Sequence, residues 1–119
     1  MLWFQRVTRM EERRRYERVS FFCRLTIAPI SGGPAFEAQC VDISLGGAGI
    51  ASRKLVAVGQ LVAITFHIKT ARQQDVAEQM FGKVVRVVSD IDGHHLGVDF
   101  VEPLRSAQTP ELCRKVERL

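Results

Sequence analysis

The stretch Gly59-Gln60-Leu61-Val62-Ala63-Ile64-Thr65-Phe66-His67-Ile68-Lys69 decides the fold class. Val62, Ile64, Phe66 and Ile68 fall on one side of an extended chain; Thr65, His67 and Lys69 fall on the other. Successive side chains of a strand point to opposite faces, so this period of two predicts a strand with one face on a core. On the N-terminal side, Phe21, Cys23, Leu25 and Ile27 alternate with Phe22, Arg24, Thr26 and Ala28. That pattern predicts a strand from Val19 onward, ended by Pro29 and the turn Ser31-Gly32-Gly33-Pro34. Phe36 to Ile43 reads as the next strand, Ser44-Leu45-Gly46-Gly47 as a break, and Ala48 to Ser52 as a short third strand.

On the C-terminal side, Ala71 to Gln79 is polar and reads as a loop or hairpin end. Phe81 to Ser89 reads as a valine-rich strand, and Asp90-Ile91-Asp92-Gly93 as a turn. Leu96, Val98 and Phe100 alternate with Gly97 and Asp99, and Pro103 ends the β region. The period then changes. Thr109 suits an N-cap, Pro110 the first helical position and Glu111 the first turn. Leu112, Val116 and Leu119 follow at helical spacing. Short strands separated by regular turns predict an all-β fold, a small antiparallel β-barrel, closed or nearly closed, with a short C-terminal α-helix docked on it.

The chain has 119 residues, enough for one modest core, and no run of apolar residues long enough for a membrane span. With no secretory signal pattern, the expected location is cytoplasmic, without membrane insertion. Cys23, Cys40 and Cys113 are an odd number at wide spacing and read as small buried hydrophobes, not as a disulfide framework or zinc site. His67, His94 and His95 are poor metal ligands, because the adjacent pair would point to opposite faces of a strand.

The net charge is +4, and its distribution is uneven. Arg6, Arg9, Arg13, Arg14, Arg15, Arg18 and Arg24 all precede Thr26, offset in part by Glu11, Glu12 and Glu17. Residues 1–18 therefore form an arginine-rich N-terminal arm, either a short helix or a mobile segment, ahead of a barrel over 19–103 and the helical tail over 104–119. Concentrated arginine suits an anionic partner. A solvated charged tail is the plain alternative.

Two constellations carry chemistry. One is Arg14-Arg15-Tyr16-Glu17-Arg18, an R-x-x-x-R just before the first strand. The other is Asp42-Ile43-Ser44-Leu45-Gly46-Gly47, a D-x-S-x-x-G at the end of the second. Taken alone, Asp42, Ser44 and the glycines would serve a turn. In this order and strand context the two resemble the signature of the PilZ domain family. Gly82-Lys83-Val84-Val85-Arg86 and the closing Leu96-Gly97-Val98-Asp99-Phe100 are similar to later strands of that family.

The resemblance implies a six-stranded, PilZ-like barrel that binds cyclic di-GMP, with no cofactor and no catalytic activity. It implies that Arg14 and Arg18 grip the ligand and that Asp42, Ser44 and Gly47 form the second half of the site. Arg13, directly before the motif, is similar to the family variant that takes two stacked ligands; Arg13 and Arg15 are secondary candidates. The residue chemistry is compatible. An arginine fork matches a phosphate or the guanine O6/N7 edge. A carboxylate suits the guanine N1–H and N2–H₂ donors, and glycine permits close approach. Arg86, in register with Val84 and Val88, is odd for a core position. It either lies at the barrel opening and stacks on guanine, or pairs with Asp99 or Asp90 across strands.

The expected mechanism is a receptor: the arm folds over the Asp42–Gly47 face on ligand binding, and a separate effector protein reads the new surface. No paired catalytic carboxylates, nucleophile elbow or metal motif is present, so an enzyme is not expected. A nucleic-acid-binding small barrel is the second reading; it calls for aromatics on an exposed strand face, whereas the strand phenylalanines fit the apolar face. A ligand-independent PilZ-like protein-interaction adaptor is the third.

Overall fold

The computed structural model describes residues 17–117. Six strands precede one short helix: β1 (Val19–Pro29), β2 (Phe36–Ile43), β3 (Gly47–Ser52), β4 (Leu61–Lys69), β5 (Asp75–Asp90), β6 (Gly93–Phe100) and α1 (Pro110–Val116). They close into an antiparallel barrel in the order β1-β2-β3-β6-β5-β4, with β4 hydrogen-bonded back to β1. Among the described residues every strand thus has two partners, although β5 meets β4 with its first half and β6 with its second. The alternation read at β4 holds: Val62, Ile64, Phe66 and Ile68 are buried. They meet Leu25, Ile27, Cys40, Ile43, Ile50, Val84, Leu96 and Val98 inside the barrel. Phe66 and Phe100 pack edge to face, with ring centroids 6.2 Å apart. Val56, from the β3–β4 connection, and Leu112, Cys113 and Val116 of α1 join the same core.

The expected loop over Ala71–Gln79 is shorter than its composition implied. β5 begins at Asp75, and the hairpin tip is confined to residues 70–74, where Thr70 N–H donates to the Gln74 carbonyl. Polar residues are admitted here because β5 needs apolar side chains on one face only. One of those polar residues points inward. The Glu78 carboxylate, 7% exposed, accepts N–H bonds from Glu111 at 3.0 Å and Leu112 at 2.9 Å. It satisfies the orphan amides at the start of α1. Thr109 stands at the N-cap position as expected, but its hydroxyl donates to the Arg105 carbonyl and makes no cap bond. The cap comes from a strand in space, not from the preceding residue in sequence.

Among the described residues, no helix is long and apolar enough to cross a membrane. Two strand phenylalanines depart from the apolar face: Phe22 is 66% exposed and Phe81 52%. Phe22 lies beyond the Arg24–His67 pair of β1 and β4, whereas Phe81 lies opposite Ala63. They are therefore separated along β4 by on the order of 20 Å, too far to act as one stacking platform.

Candidate functional site

The site is built by a bulge. In β2, Ala38 and Cys40 face the core, and strict alternation would send Asp42 inward after them. Against β3, Cys40 pairs with Ile50 and Asp42 with Gly49, so Val41 is an extra residue. The bulge reverses the faces: Ile43 becomes fully buried and Asp42 turns to the outer surface. There its Oδ1 accepts the Gly49 N–H at 3.0 Å and an Arg18 Nη1 donor at 2.7 Å. Arg18 and Asp42 are thus already joined, with side chains 46% and 35% exposed.

Asp42 lies across β3 because position 49 is glycine. A Cβ there would fall 2.8 Å from the carboxylate. Gly47 has a different reason: its Cβ would run into the Val98 carbonyl of β6, so the absent side chain serves strand packing. Ser44 is buried, 3% exposed, and its hydroxyl accepts the Gly46 N–H at 3.2 Å and donates to the Gly47 carbonyl at 3.4 Å. It fastens the β2–β3 turn that presents Asp42.

The register carries the surface further. Asp42 pairs with Gly49, Gly49 with Gly97, and Gly97 with Arg86. These four residues form one row across β2, β3, β6 and β5. Its two central residues are glycines, and the Asp42 carboxylate and the Arg86 guanidinium reach in over them, to 2.8 Å and 3.7 Å from where Cβ atoms at 49 and 97 would stand. Arg86 reaches this face through a second bulge. Val84 pairs with Val98 and Arg86 with Gly97, so Val85 is the extra residue. Val84 is buried, Val87 packs against the core, and Arg86 and Val88 point out. The sequence expectation that placed Arg86 in simple register with Val84 is corrected by that insertion. The proposed Asp90 and Asp99 pairings do not form: among the described residues Arg86 makes no ion pair, and Asp90 instead lies 3.4 Å from His95 Nε2.

Arg18, Asp42, Ser44 and Gly47 are therefore brought together, and Arg86 stands across the glycine row from them. Arg13, Arg14 and Arg15 lie outside the described residues. Gly49 and Gly97 escaped the sequence reading. The available signal was glycine inside a strand pattern, which marks close backbone approach. The row adjoins a shallow depression lined by Gln39, Ala51, Arg53 and His95, and Arg53 adds a cation that no motif pointed to. Among the described residues, no cluster of His, Cys, Asp or Glu could hold a metal ion.

A small antiparallel barrel with a polar, glycine-floored outer face agrees with the comparisons. The PilZ domain profile matches residues 12–119, and the chain belongs to the PilZ domain family. The MotI/DgrA inhibitor of motility from Bacillus subtilis is similar in structure at 16% identity and a TM-score of 0.71, over 89% of this chain and 51% of that one. The chain thus spans about half the length of MotI. The YcgR PilZ domain with c-di-GMP from Escherichia coli is similar at 19% identity and a TM-score of 0.61, over 87% and 88% of the two chains. The PilZ domain of CeSA from a cellulose-synthesizing bacterium is similar at 15% identity and a TM-score of 0.57, over 84% and 94%. At these identities the likeness concerns the fold. No curated protein sequence matches the chain.

Proposed function

We propose that the chain is a cyclic di-GMP receptor whose ligand lies on the outer face of β2, β3, β6 and β5. The row Asp42–Gly49–Gly97–Arg86 is the observation that carries this reading. The two glycines put no Cβ in the way of a flat base, which is admitted once the Asp42 and Arg86 side chains turn from over them. The carboxylate at one end suits guanine donors, and the guanidinium at the other suits a phosphate or a guanine face. Membership of the PilZ family and the likeness to the YcgR PilZ domain with c-di-GMP support the same ligand.

Arg14 and Arg18 are the proposed grips of the R-x-x-x-R motif, with Arg13 and Arg15 beside them. Ligand binding competes with the Arg18–Asp42 pair. Freed from Asp42, Arg18 turns to the ligand and the arm that precedes it reorders. Ser44 and Gly47 act by holding the turn. The chemistry is binding without turnover. The reordered arm is read by a separate effector protein, a role in keeping with the likeness to a motility inhibitor.

Calorimetry with cyclic di-GMP on the wild type, Arg14→Ala and Asp42→Ala tests this. The expected result is heat with the wild type and at least a tenfold loss of affinity in each variant, as for a charge-assisted contact worth about 1.5–3 kcal/mol. No heat with the wild type, or unchanged affinity in both variants, would remove the reading.

A further inference from the structure

Beneath the bulge that presents Asp42 lies a pair of thiols. Cys23 of β1 and Cys40 of β2 are directly opposed in the ladder, and both face the core. Opposed residues of an antiparallel pair have Cα atoms about 4.5–5.5 Å apart, inside the range a disulfide accepts, about 4.4–6.8 Å. Cys23 is half-buried and Cys40 fully buried, so one thiol meets solvent and the other backs it. The two thiols are near enough for each to shift the other's ionisation. Cys40 Sγ also donates to the main-chain carbonyl of Asp42 at 3.3 Å.

We propose that Cys23 and Cys40 are a reversible oxidation site, in which a cross-strand disulfide alters how β2 holds Asp42. The oxidant is a peroxide. The Cys23 thiolate attacks its O–O bond, takes one oxygen as a sulfenic acid, and the departing hydroxide leaves as water with the thiol proton. Cys40 sulfur then attacks the sulfenic sulfur. The S–S bond forms, the S–O bond breaks, and the Cys40 proton leaves with the second water. The two electrons given up by the sulfurs reduce the peroxide.

The division of labour has a physical basis. The neighbouring Cys40 thiol pulls the Cys23 thiol below its ordinary range and outweighs burial, which favours Cys23 as the attacking thiolate. Cys40 is pushed up by its Cys23 neighbour and by burial, and stays protonated until it resolves the sulfenic acid. Cys113 stands apart near α1, its thiol raised by burial. Once Cys40 is in a disulfide it has no proton for the Asp42 carbonyl. The backbone that turns Asp42 toward Gly49 loses that tether. An oxidised chain then presents a displaced carboxylate.

The test treats the full chain with hydrogen peroxide, alone and alongside Cys23→Ser and Cys113→Ser. Intact and peptide mass spectrometry should show loss of two hydrogens and a 23–40 linkage in the wild type and Cys113→Ser, reversed by dithiothreitol and absent in Cys23→Ser. The Gly49 amide resonance, which reports the bond to Asp42, should shift on oxidation and return on reduction. Absence of the linkage, linkage through Cys113, or an unmoved Gly49 amide would overturn the proposal. The effect on ligand rests on the cyclic di-GMP reading: the oxidised chain should bind it about three- to tenfold more weakly, the worth of one hydrogen bond. If the reduced chain takes up no cyclic di-GMP, the ligand reading falls. The oxidation site is then still judged by the linkage and the Gly49 amide.

Discussion

Asp42 is held from three directions: by Arg18, by the Gly49 amide and, through its own carbonyl, by Cys40. Its pair with Arg18 is half-exposed, so its net worth to stability is under about 1 kcal/mol. Arg18→Ala should therefore leave the urea midpoint almost unchanged while lowering cyclic di-GMP affinity; a large fall in the midpoint would mean that the pair is structural. The two neighbouring glycines separate function from folding in the same way. A methyl at position 49 meets the movable end of the Asp42 side chain, whereas one at position 47 meets the Val98 backbone. Gly49→Ala should keep most of its stability and lose ligand affinity. Gly47→Ala should lose more than about 1 kcal/mol in chemical denaturation, as overpacking against fixed atoms does. Equal stability of the two variants would contradict this distinction. None of these roles was legible residue by residue. The motif marked Asp42 and Gly47 together but did not separate a carboxylate that faces solvent from a glycine that fits a strand crossing.

At the scale of elements, β2 and β5 work through their irregularities. Val41 and Val85 each add one residue to a ladder, and each insertion turns a charged side chain, Asp42 or Arg86, outward. A valine is an ordinary strand residue, so neither position advertises a bulge; the pairing with the neighbouring strand creates it. Deleting Val85 should remove the bulge and restore simple alternation in β5, with Val84 inward, Arg86 outward and Val87 inward, so the fold should lose little stability. A thermal midpoint lowered as far as by burying a charge would argue against Val85 as the inserted residue. The cap of α1 is a second case. Glu78→Ala should remove both acceptors from the helix N-terminus and cost about 1–3 kcal/mol, measured by urea unfolding. Thr109→Ser keeps the hydroxyl and should cost far less. The sequence pointed to Thr109 because capping is usually local. It missed Glu78, which is 33 residues from Glu111 along the chain.

For the whole molecule, closure of β1 against β4 gives each strand among the described residues two partners, so new contacts are made chiefly through side chains on the outer faces. A net charge of +4 and the clustering of arginines toward one end imply that a doubly anionic ligand is held partly by charge. Its calorimetric affinity should fall as salt rises from low to physiological levels, since exposed pairs are screened over about 8–10 Å. Indifference to salt would mean that base contacts alone hold it. By itself the sequence determined the strands, the turns, the terminal helix and the family, because period-two alternation, Gly/Pro turns and motif order are local properties of the chain. The tertiary structure alone decided the register. That register set Asp42, Gly49, Gly97 and Arg86 in one row, brought Cys23 against Cys40, and gave α1 its cap from β5. Each of these depends on which residues of distant strands face one another. A single inserted residue reverses that facing without leaving a mark on local composition.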